Sequence, residues 1–154
     1  MLRAELKTET KFLCGCPIGE KACPYCVGLP GALALPNRAA VDAAFAAAEE
    51  LQCALSGSIS FLRGLDEGVS RGARLATTAF GKEGALGGCT VSAVWLEEAA
   101  GGQAVLCVET DASAAALDDA LERAGIGASP ATVGAEWVGA VWDAWVDQPG
   151  VRLP

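Results

Sequence analysis

The chain has 154 residues, just over half of them apolar, and carries 19 acidic against 11 basic side chains for a net charge of −8. That is enough chain to bury the core of one ordinary domain, or of two small lobes, and it is too apolar for a disordered segment. Histidine is absent, which removes Ser-His and Cys-His nucleophilic pairs, imidazole ligands and the usual general base near neutral pH.

The charge is uneven. Through Arg38 five bases face three acids, a net of +2, and from residue 39 onward six bases face sixteen acids. A whole-surface attraction to nucleic acid is therefore not expected, because phosphate neutralisation needs clustered Lys and Arg. No uncharged run reaches the length of a membrane span, and the N-terminus lacks the pattern of a secretory signal, so the chain is expected to be soluble and either unexported or a mature chain whose targeting segment is gone. Scattered free cysteines place it in a reducing compartment, the cytoplasm or an organelle matrix.

The first informative stretch is "FLCGCPIGEKACPYCVGLPGALALPNRAAV", Phe12 to Val41. Cys14, Cys16, Cys23 and Cys26 form two close pairs, C-x-C and C-x-x-C, six residues apart. Such pairs let neighbouring sulfurs converge on one ion, and Pro17, Gly19, Pro24 and Gly28 supply the bends. A four-thiolate zinc site is the leading expectation, with an iron–sulfur cluster, a Cys23–Cys26 redox pair and plain disulfides as alternatives. A thioredoxin-like CxxC normally opens a helix, whereas Val27 to Pro36 reads as loop. Cys53, Cys89 and Cys107 are too scattered for a disulfide framework and read as small buried hydrophobes.

With its flanks, this stretch resembles the N-terminal segment of the B subunit of the tRNA-dependent amidotransferases, which convert Glu-tRNA(Gln) or Asp-tRNA(Asn) to the amidated forms. The family pattern L-x-T-x-T-K-x-F-C-x-C, then C-P-x-C-x-G-L-P-G-x-L-P-x-x-N-x-x-A-V, is matched at Leu6, Thr8, Thr10, Lys11, Cys14, Cys16, Cys23, Pro24, Cys26, Gly28, Leu29, Pro30, Gly31, Leu33, Asn37, Ala40 and Val41. Phe12 and Leu13 exchange the order of the family's pair. The resemblance covers residues 2–53 and implies a zinc scaffold preceded by a strand. It does not carry the catalytic residues: the family's Glu and His align with Met1 and Arg3, and its later acidic and aromatic segments find no counterpart. The resemblance thus implies a zinc scaffold without amidotransferase activity.

Asn37 is placed as the N-cap of a helix with Val41, Phe45, Ala48 and Leu51 along one face, ending near Gly57. "FLRGLDEGVSRGARLATTAF" predicts one helix or two short ones, and Arg63, Arg71 and Arg74 on it are candidates for contact with RNA or another anion, tRNA or rRNA included. "GKEGALGG" predicts a flexible turn. "TVSAVWL" and "QAVLCVE" predict an antiparallel hairpin of Thr90–Leu96 with Gln103–Glu109. "SAAALDDALERAG" predicts a helix with Ala116, Leu117, Ala120, Leu121 and Ala124 on one face and Gly125 as its stop. Glu109 and Asp111 are placed at the strand end, capping that helix. Residues 58–112 also resemble elongation factor Ts, through "FLR" with "EG" and "AVLCVETD", although that family's residues flanking the Glu and Asp are missing. Finally "EWVGAVWDAWV" predicts a terminal helix with Trp137, Trp142 and Trp145 as a docking stripe or partner anchor.

The expected fold class is α+β, a zinc-knuckle segment and helix over residues 1–55 followed by a small α+β segment over 56–154. Three functions fit. The leading one is a non-catalytic zinc-binding structural or accessory subunit of a larger, translation-related assembly of proteins. The others are an active part of a split tRNA-dependent amidotransferase and a CxxC thiol redox protein. Adjacent acids such as Glu97 with Glu98, or Asp118 with Asp119, nominate no acid–base site.

Overall fold

The computed structural model describes residues 1–27, 29, 31–32, 34–64, 75–99, 101–134 and 145–153. In chain order these form β1 (Leu2–Glu5), α1 (Arg38–Glu50), β2 (Ala54–Leu55), β3 (Ile59–Gly64), β4 (Leu75–Thr77), β5 (Gly81–Leu86), β6 (Cys89–Glu98), β7 (Ala104–Thr110), α2 (Ala114–Arg123), β8 (Thr132–Val133) and β9 (Trp145–Leu153). The strands make one antiparallel sheet in the order β8-β1-β7-β6-β4-β3-β9, with β5 also on β6 and β2 on β5. The fold class is α+β.

β6 and β7 are the predicted hairpin, with Leu96 opposite Leu106 and Glu98 opposite Ala104. At 10 residues, β6 is long enough to serve two partners on its other edge: β5 along Cys89–Val94 and β4 at Glu97. Ala104 to Val108 are all buried, a continuous apolar run of the kind produced when both faces of a strand are covered. On one face Leu2, Ala4, Val94, Leu96, Ala104, Leu106 and Val108 join the core that takes the buried sides of both helices. On the other, Ala76, Trp95, Val105 and Cys107 form a second, smaller cluster.

α1 packs through Ala40, Val41, Ala44, Ala47 and Ala48, where small side chains let the helix lie close to the sheet while keeping high helix propensity. Asn37 caps it as expected, its Oδ1 accepting from the amides of Ala39 and Ala40 at 2.9 and 3.3 Å. The helix stops earlier than Gly57: Leu51 is its C-cap, and Gln52 takes the left-handed turn at φ 59°. α2 buries Leu117, Ala120 and Leu121, and Gly125 at φ +73° turns the chain away as predicted. Its cap is Ser113, whose Oγ accepts from the Ala116 amide at 3.2 Å, and not Asp111. Arg123 reaches Glu50 at 3.0 Å and ties the two helices.

Three further expectations are corrected. The stretch expected to be helical contains β3 and β4, because Phe61, Leu62 and Arg63 pair with Thr77, Ala76 and Leu75, and pairing partners remote in sequence override helix propensity. Residues 81–86 are a strand and not a flexible turn; a Cβ at Gly84 would collide with the Leu51 carbonyl and Cys53 Sγ, and one at Gly81 with Cys53 and Ala48. These glycines permit close approach. Trp145 begins β9, where Gly64 pairs with Trp145 and Arg63 with Val146, in place of the end of a helix.

Candidate metal centre

The knot is built as a loop pinned at both ends. Thr10 bridges Pro17 and the Lys11 amide donates to the Cys16 carbonyl at 2.9 Å, so the tight hairpin between them presents Cys14 and Cys16 at its tip. Phe12 and Leu13 are wholly buried and anchor that hairpin in the main core. The second pair lies on a turn in which the Val27 amide donates to the Cys23 carbonyl at 3.2 Å and that of Leu29 to Pro24 at 3.0 Å. The chain then returns beside the first pair, the amides of Leu35 and Asn37 donating to the carbonyls of Leu13 and Phe12 at 2.8 and 2.7 Å. Asn37 adds a tie, its Nδ2 donating to Thr10 Oγ1 at 2.9 Å. One side chain therefore both starts α1 and closes the knot.

All four sulfurs lie within 4.8 Å of one another. Cys16 and Cys26 are separated by 3.7 Å and Cys23 and Cys26 by 3.6 Å. Four thiolates placed tetrahedrally at about 2.3 Å from a cation would be about 3.8 Å apart, so the cluster is of the right size to hold a metal ion. Its two halves differ: Cys14 and Cys16 are buried, whereas Cys23 and Cys26 are partly exposed. Burial pushes the Cys14 thiol up to about 12. Cys23 is lowered to about 6, chiefly by hydrogen bonding from the Cys26 backbone. A bound cation would override both, since ligand thiols must give up their protons.

The knot is fastened to the sheet at the β6–β7 turn. The Phe12 amide donates to the Gly102 carbonyl at 2.8 Å, and the stem of the buried Lys11 lies where a side chain on Gly102 would stand. Tyr25, between the second pair of cysteines, donates its hydroxyl to Glu98 Oε2 at 3.2 Å.

The remaining cysteines stay apart from the knot. Cys107 is wholly buried, and burial, then the charge of Glu97, holds its thiol well above the usual range. Cys53 and Cys89 are only partly buried, so the small-hydrophobe reading fits Cys107 best. Arg63 lies on β3, and Trp145 at the start of β9. Arg71, Arg74, Trp137 and Trp142 fall outside the described residues.

One constellation escapes the sequence reading. On the sheet face away from the helices, Arg3 Nη1 meets Glu97 Oε1 at 2.9 Å, with 20% and 2% of the two side chains exposed. The Trp95 indole N–H donates to Glu97 Oε2 at 2.9 Å. Arg3 and Trp95 both stand opposite Cys107 in the sheet register. The missed signal is the adjacency of Glu97 and Glu98 itself: successive strand residues point to opposite faces, so the two acids serve different partners, Arg3 and Tyr25.

Among the described residues no helix is long and apolar enough to cross a membrane. Residues 2–65 match the model of the GatB/GatE catalytic domain. The chain is 42% identical over 65 residues to the B subunit of the aspartyl/glutamyl-tRNA(Asn/Gln) amidotransferase of Salinispora tropica, covering 38% of this chain and 13% of that protein. The corresponding protein of Brevibacillus brevis is 40% identical over 68 residues, 40% of this chain and 14% of the relative. That of Haloquadratum walsbyi is 36% identical over 69 residues, again 40% and 14%. The resemblance carried by the cysteine segment therefore holds for residues 2–65, and it is to the amidotransferase B subunit, over about an eighth of the length of that protein.

Proposed function

We propose that this chain is a zinc-binding, non-catalytic structural or accessory subunit of a larger protein assembly related to translation. The observation that carries the zinc reading is the convergence of Cys14, Cys16, Cys23 and Cys26 within 4.8 Å. Zinc fits four thiolates better than a hard cation does, because soft sulfur ligands favour it and a closed tetrahedral set needs no exchangeable position. When bound, it supplies cross-linking and charge neutralisation and no redox chemistry.

Arg3 supports the non-catalytic half. It occupies the position where the resemblance aligns the family's His, and its guanidinium is engaged by Glu97. A permanently charged group in a nearly buried ion pair is not a proton carrier near neutral pH. The relatives are named for an amidotransferase, so partner subunits, and a tRNA or rRNA contact through Arg63, Arg71 and Arg74, belong to the same proposal. Trp137, Trp142 and Trp145 are the proposed partner anchors.

The matched domain is described as catalytic, which favours the split amidotransferase as the competing reading. Native mass spectrometry of the protein from its own source, without chelator and with elemental analysis, tests the proposal. One zinc per chain with co-purifying subunits, and no amidation of mischarged tRNA by the isolated complex, is the expected result. Amidation of mischarged tRNA by the complex would establish the split enzyme instead. A zinc-free monomer would remove the metal reading.

A further inference from the structure

Building on the zinc reading, we infer that the knot is an oxidant-sensitive metal centre, with Cys23 and Cys26 as its site of modification by hydroperoxides. The argument is the asymmetry of the cluster. Cys14 is 6% and Cys16 8% exposed, and both hang from the hairpin anchored by Phe12 and Leu13 in the main core. Cys23 and Cys26 are partly exposed to solvent, sit on a turn held by two backbone hydrogen bonds, and have their sulfurs 3.6 Å apart. Thiol oxidation follows access, and an accessible sulfur beside a second sulfur has a resolving partner at hand.

The chemistry balances within these two residues and one hydrogen peroxide. One of the two sulfurs takes an oxygen from the peroxide: an S–O bond forms, the O–O bond breaks and hydroxide leaves. The other thiolate then attacks the oxidised sulfur, the S–S bond forms, and a second hydroxide departs with the oxygen. Two electrons pass from the sulfur pair to the peroxide. Cys14 and Cys16 keep their oxidation state, are left as two ligands where four had held the ion, and each takes up a proton as the ion is lost. A thiol reductant and fresh zinc would reverse the sequence.

The change is communicated to the sheet. Tyr25 lies between the two modified residues and its hydroxyl is bonded to Glu98 on β6, so a rearranged turn moves that anchor. The neighbouring β6–β7 turn, closed by the Ala99 amide on the Gln103 carbonyl at 2.9 Å, is where the released state should be read.

The test uses the full chain, first shown by elemental analysis to carry zinc, treated with hydrogen peroxide in the presence of a chromophoric zinc chelator and then mapped by differential alkylation and peptide mass spectrometry. We expect one zinc released for each Cys23–Cys26 disulfide, Cys14 and Cys16 recovered as free thiols, faster amide exchange at residues 99–103, and full reversal by reductant with zinc. The Cys89→Ser protein should release zinc at an unchanged rate. Retention of zinc after peroxide, or a first disulfide that includes Cys14, overturns the inference and leaves the zinc reading standing. A chain that carries no zinc before peroxide overturns both.

Discussion

The cysteine knot and the sheet body are organised by different means. Within the knot, Cys14 to Cys26 span thirteen positions, and bonds between residues close in sequence, from Thr10 to Asn37, bring the sulfurs together. The body depends on pairings such as Leu2 with Val108 and Ile59 with Leu153, and its stability comes from buried area. What differs is the source of cohesion. A metal can order a short segment by cross-linking residues close in sequence, whereas a sheet must find partners from across the chain.

The sharpest break of this comparison is removal of one ligand. Cys26→Ser should lower zinc from one per chain to near zero and accelerate amide exchange through residues 10–36, with far smaller change in β6 and β7, measured by elemental analysis and hydrogen exchange. Cys89→Ser should leave both unchanged. The converse break lies in the core: Leu106→Ala, at a wholly buried position, should cost about 2–5 kcal/mol in denaturant unfolding while zinc stoichiometry in the folded protein stays the same.

Smaller effects sharpen the boundary between the two regions. Glu97→Gln keeps an acceptor for Trp95 but leaves Arg3 without its counter-charge. We expect a loss of about 1–3 kcal/mol, less than the ~3–5 kcal/mol of a fully enclosed pair because Arg3 retains some contact with water. Asn37→Ala removes the cap of α1 together with the tie to Thr10, and should cost about 1–2 kcal/mol and weaken zinc retention against a competing chelator. At the bottom of the scale, Asp42→Ala breaks only the exposed pair with Arg38. Its effect should fall within about 0.5 kcal/mol.

What could be read from the sequence follows the same division. The four-cysteine cluster, the Asn37 cap, the β6–β7 hairpin and α2 were legible because each is specified by residues close together in the chain. The strands β3 and β4 were not: "FLRG" and "LAT" have no strong alternation of their own, and they are strands because β9 and β6 offer edges to pair with. Gly81 and Gly84 look like turn residues until Cys53 and Leu51 are seen to press against them. The Arg3–Glu97 pair joins residues 94 positions apart, a juxtaposition that no local pattern encodes.

The pairing of β1 with β7 has a consequence for biosynthesis. Leu2 must wait for Val108, about a hundred residues later, which at ~5–20 residues per second amounts to roughly 5–20 s of translation. Throughout that interval the first strand has emerged without its partner. The knot needs nothing beyond Asn37 for its own closure, so it can capture a metal while the ribosome is still a long way from the rest of the sheet. The metal-loaded segment would then be ordered before the core that later encloses Phe12 and Leu13.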